Sequence, residues 1–227
     1  MNKRLEAIMA HIPQNGRGVI DVGTDHGYLP AALFQHGYTG KLIAADINAE
    51  PLSKAKRTAE SIGAEDAISL RLCDGLDGCE PSEVDTIVIA GMGGDTICGI
   101  LDRAEWCMAR EYMLILQPMT KCEILRYWLV YNEFEIISEE LVRDDRLYQI
   151  ITAHFGGHQR LNDAEFFTGS AALIGGDPLF PELRRKLERR FASAVDGMRE
   201  STEIEIINRR RLYEEILTQL REMEGGR

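Results

Sequence analysis

The sequence predicts an α/β protein: a parallel sheet covered on both faces by helices, closed by an antiparallel hairpin and followed by a separate helical segment. Three observations carry this. Short β-rich runs alternate with stretches of helical period as far as Glu133. Those runs are apolar almost without interruption, as strands buried on both faces are. Beyond Gly157 the β-rich runs stop and only helical periodicity continues. With 227 residues, 44% of them hydrophobic, the chain suffices for one full α/β domain with an appendage.

The elements follow in order. "MNKRLEAIMAHI" has the pattern of an amphipathic helix. "GVIDV" is a short strand, and "YLPAALFQHG" a helix closed by Gly37. "KLIAADI" is the second strand; "NAEPLSKAKRTAESIG" is a helix with Asn48 as N-cap and Gly63 as its stop. "AISLRL" is a weaker third strand. "VDTIVIAGMGG" is an apolar strand running into glycines, and "DTICGILDRA" the helix after it. "YMLILQPM" makes the fifth strand and "KCEILRYWLVYNE" its helix. In "FEIISEELVRDDRLYQIITAHFG" there is no room for a crossover helix, so a tight turn at Arg143 to Arg146 joins two antiparallel strands. "DAEFFTGSAALIGG" reads as one short helix. Two long helices follow, at about 179–198 and 202–223. Leu183, Leu187, Phe191, Ala194 and Met198 mark the buried stripe of the first, and Ile216, Leu220 and Met223 that of the second. They form an antiparallel helical hairpin. The boundary falls at Gly156-Gly157, giving domains 1–157 and 158–227.

Composition excludes several classes. The five cysteines (Cys73, Cys79, Cys98, Cys107, Cys122) include no CxxC pair and are odd in number. Neither a metal site nor a disulfide scaffold is expected, and the thiols read as reduced and mostly packed in the core. No apolar run approaches the roughly 20 residues of a membrane span, and the N-terminal stretch is too short for a signal peptide, so a cytoplasmic protein is expected. Of the formal net charge of −11, the residues from Arg160 onward hold 12 basic and 13 acidic side chains, against 14 and 24 before them. An acidic body argues against a protein whose whole surface binds nucleic acid. Local basic runs nevertheless stand in the tail, "RRKLERR" at 184–190 and "RRR" at 209–211, either as a solvated helix face or as a contact surface.

In a doubly wound sheet the ligand sits beyond the carboxyl ends of the strands. Four such ends carry acidic or glycine-rich punctuation: Asp21 to Gly27, Asp46, Asp74-Gly75 and Gly91 to Gly94. The phosphate-loop pattern GxxxxGK[ST] is absent. A dinucleotide loop wants GxGxxG; here Gly23 and Gly27 are present with Asp25 between them, and a carboxylate there repels a pyrophosphate. A ligand with an adenosine and a positive charge but no phosphate suits this loop, and S-adenosylmethionine is such a ligand. Asp46 is placed either to accept bonds from ribose hydroxyls or to begin the next helix. Asp74 is placed either to read an adenine amino group or simply to form a turn. Asp21 either braces its loop or touches the ligand, and His26 is either a bonding partner in a turn or a catalytic or substrate-contacting group. His11, His36, His154 and His158 stand in no pattern.

"DVGTDHGYLP", "AADINAEPLSKA", "CDGLD", "IVIAGMGG" and "LILQPM", in this order, resemble the bacterial tRNA (adenine(22)-N1)-methyltransferase family, and the likeness extends over the hairpin and the helical tail. The resemblance implies a Rossmann-like class I methyltransferase fold with a small coiled-coil-like C-terminal domain, S-adenosylmethionine as methyl donor, and N1 of a tRNA adenine as acceptor. It implies Asp21, Gly23, Asp25, Gly27 and Gly91 as cofactor-binding residues, Asp46 on the ribose and Asp74 on the adenine. Gly91, Met92, Gly93 and Gly94 occupy the place where many amino-methylating enzymes carry an Asn/Asp-Pro-Pro-aromatic motif, which is absent here. Adenine N1 has an in-plane lone pair and needs no general base, so alignment is the main task. Tyr28 and Gln117 are candidates to hold the face or edge of the base, with His26 and Gln117 as candidate catalytic groups. With tRNA as partner, Arg184, Arg185, Lys186, Arg189, Arg190 and Arg209 to Arg211 become candidate phosphate contacts, with Lys3 and Arg4 added to them. No membrane or metal partner is expected, and a monomer is. The competing readings are a small-molecule or protein methyltransferase using the same loops, and a non-catalytic cofactor- or RNA-binding protein.

Overall fold

The structure, a computed structural model, describes residues 3–223. Met1 and Asn2 of the expected first helix, and the last four residues of the expected C-terminal domain, lie outside the described residues. In chain order the elements are α1 (Lys3–Ala10), β1 (Gly18–Val22), α2 (Tyr28–Gln35), β2 (Lys41–Asp46), α3 (Ala49–Ser61), β3 (Ile68–Leu72), β4 (Thr86–Gly93), α4 (Gly94–Arg103), β5 (Met113–Thr120), α5 (Cys122–Tyr131), β6 (Phe134–Arg143), β7 (Leu147–Phe155), α6 (Asp163–Thr168), α7 (Ala171–Ile174), α8 (Phe180–Gly197) and α9 (Ile204–Glu222).

The seven strands form one sheet in the order β3-β2-β1-β4-β5-β7-β6. β1 to β5 pair in parallel, and β7 runs antiparallel to β5. A turn in which the Asp144 N–H donates to the Arg146 carbonyl (3.0 Å) connects β6 to β7. The central strands are apolar because helices cover both faces: Ile20, Ile43, Ile87, Val88, Ile89, Leu114, Ile115 and Leu116 are fully buried. Cys79, Cys98 and Cys107 are buried free thiols, and Cys73 and Cys122 are half-buried. Burial pushes the Cys98 and Cys107 thiols up to about 12. Strand order turns back between β1 and β4, and at such a switch point the helices leave a crevice over the carboxyl ends.

Two details differ from the sequence expectation. Asn48 takes the N-cap position of α3, but its side chain makes no cap bond; its backbone N–H donates to Asp46 Oδ1 at 2.7 Å. The segment read as one short helix is two, α6 and α7, broken at Gly169. There φ is +97°, and a Cβ would press on the Glu139 carboxylate at 2.5 Å.

The chain divides into two compact units. One takes in the chain up to Ser138 and Val142–Gln159; the other takes in Glu139–Leu141 and the chain from Arg160. Within the second, α8 and α9 pack antiparallel. Arg184 Nη1, near the start of α8, donates to the Met223 carbonyl beyond the end of α9 (2.6 Å). Midway, the Phe191 and Tyr213 rings meet edge-to-face at 5.0 Å. Leu183, Leu187, Phe191, Ile216, Leu220 and Met223 are buried as their spacing predicts, whereas Ala194 and Met198 are half-buried near the free end of the hairpin.

Candidate active site

The crevice holds two cavities that share Gly23 as a wall. One, of about 540 Å³, lies over β1 to β4 and is lined by Asp46, Ile47, Asp74, Met92, Ile100 and Arg103 among others. The other, of about 290 Å³, is lined by Asp21, Asp25, Tyr28, Ala90, Gly91 and, from α1 and the end of β5, Arg4 and Met119. Four strand ends widely separated in sequence therefore meet here, because parallel pairing brings every carboxyl end to one edge of the sheet.

The first loop is fixed to its neighbour: the backbone N–H groups of Gly23 and Thr24 both donate to the Ala45 carbonyl, at 2.8 and 2.9 Å. Gly23 has φ +75°, and a Cβ there would lie 2.1 Å from the Met92 Cε. Met92 thus rests on the bare backbone of the loop, at the ridge between the cavities. Gly27, with φ +65°, serves packing: a Cβ would come within 2.8 Å of the Ala55 Cβ on α3.

Asp21 is buried, and Thr24 Oγ1 donates to its Oδ2 at 2.6 Å. Burial, opposed by that hydrogen bond and reinforced by the negative charge of Asp46, pushes its carboxyl up to about 6. Asp25 is exposed and lies 3.4 Å from His26 Nε2. His26 sits at φ +64°, uncommon for a residue with a side chain, and its ring stacks on Tyr28 at 5.1 Å with the planes parallel. Tyr28 is 54% exposed, so one face of it is open to a partner. On the other side, Arg103 Nη2 donates to Asp74 Oδ1 at 2.8 Å, closing an ion pair at the rim.

At the end of β4, Ala90 pairs with Gln117 and Met92 with Pro118, leaving Gly91 unpaired in a bulge at φ +82°. A Cβ on Gly91 would meet nothing within 4 Å, so its backbone faces open space. Gly94 is constrained instead by packing: a Cβ would strike the Lys121 carbonyl at 2.2 Å. Gly93 and Gly94 are not among the residues lining either cavity. Gln117 is fully buried and lines neither. Its Nε2 donates to the Pro118 carbonyl (2.9 Å), and its Oε1 accepts from Arg4 Nη1 (3.3 Å). Gln117 therefore stands one layer behind the site that the sequence suggested for it. Leu5, Ile8 and Met119 join the site without a signal in the sequence, and Arg4, expected on an RNA-facing surface, lines the cavity. Their contribution depends on where α1 packs, for which a helical period alone gives no signal.

In the second unit Arg185, Lys186, Arg189, Arg209 and Arg211 are exposed. Arg190 lies over the Phe167 and Phe191 rings at 5.7 and 5.5 Å, Arg184 is engaged by Met223, and Arg210 Nη1 donates to the Arg199 carbonyl. No cluster of three or more metal-ligating side chains occurs among the described residues, and no helix among them is long and apolar enough to cross a membrane.

The site residues fit S-adenosylmethionine on their own geometry. Burial above all, and then the negative charge of Asp46, raise the cost of the charge on Asp21, and a bound cation relieves that cost. Comparison with known proteins agrees. The family described as "Methyltransferase domain" matches residues 1–151. The tRNA (adenine(22)-N(1))-methyltransferase of Bacillus subtilis (strain 168) is 36% identical over 184 residues, 80% of this chain and 76% of that one. The crystal structure of the B. subtilis M1A22 tRNA methyltransferase has a TM-score of 0.88 at 25% identity, covering 98% of both chains. A Streptococcus pneumoniae protein crystallised with S-adenosyl-L-methionine has a TM-score of 0.81 at 28% identity, covering 96% of this chain and 99% of that one. A sheet order, an acidic donor crevice and sequence identity that all converge on the same relatives lead to one conclusion: the chain belongs to the tRNA (adenine(22)-N(1))-methyltransferase family.

Proposed function

We propose that the protein transfers the methyl group of S-adenosyl-L-methionine to N1 of adenine 22 in tRNA. The observation that carries the donor half is Asp21: a buried carboxylate on the crevice wall, bonded to the Thr24 hydroxyl and facing the charge of Asp46. Such a group favours a bound cation and disfavours a phosphate. Family membership supports the acceptor half, since the B. subtilis relative is a tRNA (adenine(22)-N(1))-methyltransferase.

Asp46 takes the ribose hydroxyls, with its Oδ1 already oriented by the Asn48 N–H, and Asp74 with Arg103 borders the adenine. Asp21 and Asp25 face the ammonium end. The donor supplies an electrophilic methyl on a sulfonium. The acceptor N1 presents an unprotonated lone pair at neutral pH, so no side chain has to remove a proton. The protein's task is alignment, which is worth up to about 7–11 kcal/mol when the reacting atoms are held in line. Tyr28, stacked on His26 and exposed on its far side, offers a face for the extruded base. The open backbone at Gly91 lets the base edge come close. His26 acts by holding Tyr28 rather than by accepting a proton. The exposed Arg185, Lys186, Arg189, Arg190, Arg209 and Arg211 of the second unit hold tRNA phosphates.

The test is methyl transfer from labelled donor to unmodified tRNA, followed by nucleoside mass spectrometry. Label in 1-methyladenosine that disappears when adenine 22 is replaced is the expected result. Label in another nucleoside, or none with donor binding intact, would contradict the acceptor assignment.

A further inference from the structure

A third cavity, of about 440 Å³, lies outside the two that make up the crevice. It is a groove bounded by Leu5 on α1, by Ala31, Ala32 and Gln35 on α2, and by Thr58 on α3 with Ile62 at its end. Ala31 and Ala32 are short, so α2 leaves a gap between the longer side chains of α1 and α3. Among the described residues that line the groove none is charged, so it offers nothing to neutralise a phosphate or a carboxylate inside it. Its polar groups are an amide and a hydroxyl. The Gln35 amide is exposed and makes no bond among the described residues, and Thr58 Oγ1 donates to the Lys54 carbonyl (3.2 Å) while keeping its lone pairs as acceptors. Apolar walls with an amide and a hydroxyl at hand suit a flat, neutral ring that carries hydrogen-bonding edges.

Two observations identify the ring. Tyr28 and Leu5 line both this groove and the smaller crevice cavity, so the groove begins one side chain away from the proposed place of the target base. The wall formed by α3 is also locally basic: Lys54, Lys56 and Arg57 stand against Glu50 and Glu60, in a body that holds 14 basic and 24 acidic residues before Arg160. Lys54 precedes Thr58 and Ile62 at four-residue steps, so the three share one row of the helix surface, and Arg57 beside them is exposed. A neutral slot with cations outside it suits single-stranded nucleic acid, base inward and phosphates outward. We infer that the groove receives the nucleobase adjacent to the target adenine, with Tyr28 between the two bases and Lys54 and Arg57 holding the phosphates that join them. This rests on the acceptor assignment made under the proposed function. Lys54 Nζ lies 3.1 Å from Glu50 Oε1, a surface pair that a phosphate displaces at little cost. A neighbour held in the groove cannot restack on the target base, so the groove offsets part of the cost of extruding it.

The probes are unmodified tRNA and two derivatives in which the nucleotide immediately 5′ or 3′ of adenine 22 is abasic. Their affinities for the full chain are measured with S-adenosylhomocysteine present, so that no turnover occurs. One of the two abasic tRNAs should bind the wild type roughly tenfold or more weakly than intact tRNA, the range of one base held against an aromatic wall. T58W, which fills the groove, should bring intact tRNA down to that level and be indifferent to the abasic site. Q35A should weaken intact tRNA by about two- to tenfold and leave the abasic tRNA unaffected. K54Q/R57Q should weaken all three tRNAs alike and flatten the salt dependence. Donor affinity should stay at the wild-type value in each variant; if T58W loses it through misfolding, Q35A carries the comparison. Abasic tRNAs that both bind as tightly as intact tRNA, an abasic loss that persists in full in Q35A and T58W, or a salt slope unmoved by K54Q/R57Q would overturn the inference. So would self-association of the chain that T58W abolishes while the abasic tRNAs bind normally, which would give the groove to a second copy. Intact tRNA that binds but never acquires 1-methyladenosine would overturn the acceptor assignment instead.

Discussion

Asp21 sits where a carboxylate is costly, and the cost defines its use. Folding raises its pKa from 3.8 to about 6, so the folded chain holds this proton more tightly than the unfolded chain does. The folded state is therefore penalised as pH rises from about 4 to 6, and the penalty is complete above that, on the order of 3 kcal/mol. D21N should raise the melting temperature of the ligand-free protein by several degrees at pH 7.5 and by less at pH 5, while weakening donor binding; thermal melts at the two pH values read this directly. The same titration predicts that donor affinity of the wild type falls as pH drops below 6, and that D21N loses this dependence. At Gly23 the constraint is the backbone, held at φ +75°. G23A places a methyl group against Met92 at a positive φ, and should weaken donor binding at least tenfold at a cost of about 1–3 kcal/mol of stability. An unchanged dissociation constant would remove Gly23 from the site. The acids and glycines were legible in sequence because a carboxylate inside a glycine loop has few other uses. The burial of Gln117 was not, since both faces of β5 are covered and a polar residue near the strand's carboxyl end reads equally as a site residue or as one packed behind it.

Elements position these residues, and their order was readable because buried parallel strands and amphipathic helices carry different periods. The antiparallel β6–β7 pair followed from the shortness of the turn between them. What the periods did not reveal is where an element ends when glycines intervene. β4 continues as a paired strand through Gly93, because a bulge absorbs Gly91 without ending the ladder. α4 then starts directly at Gly94, whose missing side chain lets the Lys121 backbone approach. G94A should lower stability by about 1–3 kcal/mol, since the atom it meets is a carbonyl rather than a flexible side-chain end. Donor affinity in the surviving folded fraction should stay near the wild-type value. A G94A protein as stable as wild type would show that α4 can shift without loss. The first helix was predicted as a helix but not as a cavity wall. Its apolar stripe, with Ile8 and Met9 buried, shows burial without showing against what.

At the scale of the molecule, charge is divided by task. Asp21, Asp25, Asp46 and Asp74 line the crevice proposed to hold a cationic donor, and the exposed arginines of the tail are the proposed tRNA contacts. Replacing Arg185, Lys186, Arg189 and Arg190 by Gln should weaken tRNA binding and flatten its salt dependence. The logarithmic slope should fall by about 0.7–0.9 for each phosphate no longer neutralised, with donor affinity unchanged. An unaltered salt slope would place the RNA elsewhere. The most direct test of the chemistry is the pH profile of single-turnover methyl transfer with donor and tRNA saturating. If N1 attacks without a general base, the rate stays flat from about pH 6.5 to 9. A rate rising about tenfold per pH unit through neutrality would place a titrating base in the step and contradict the account.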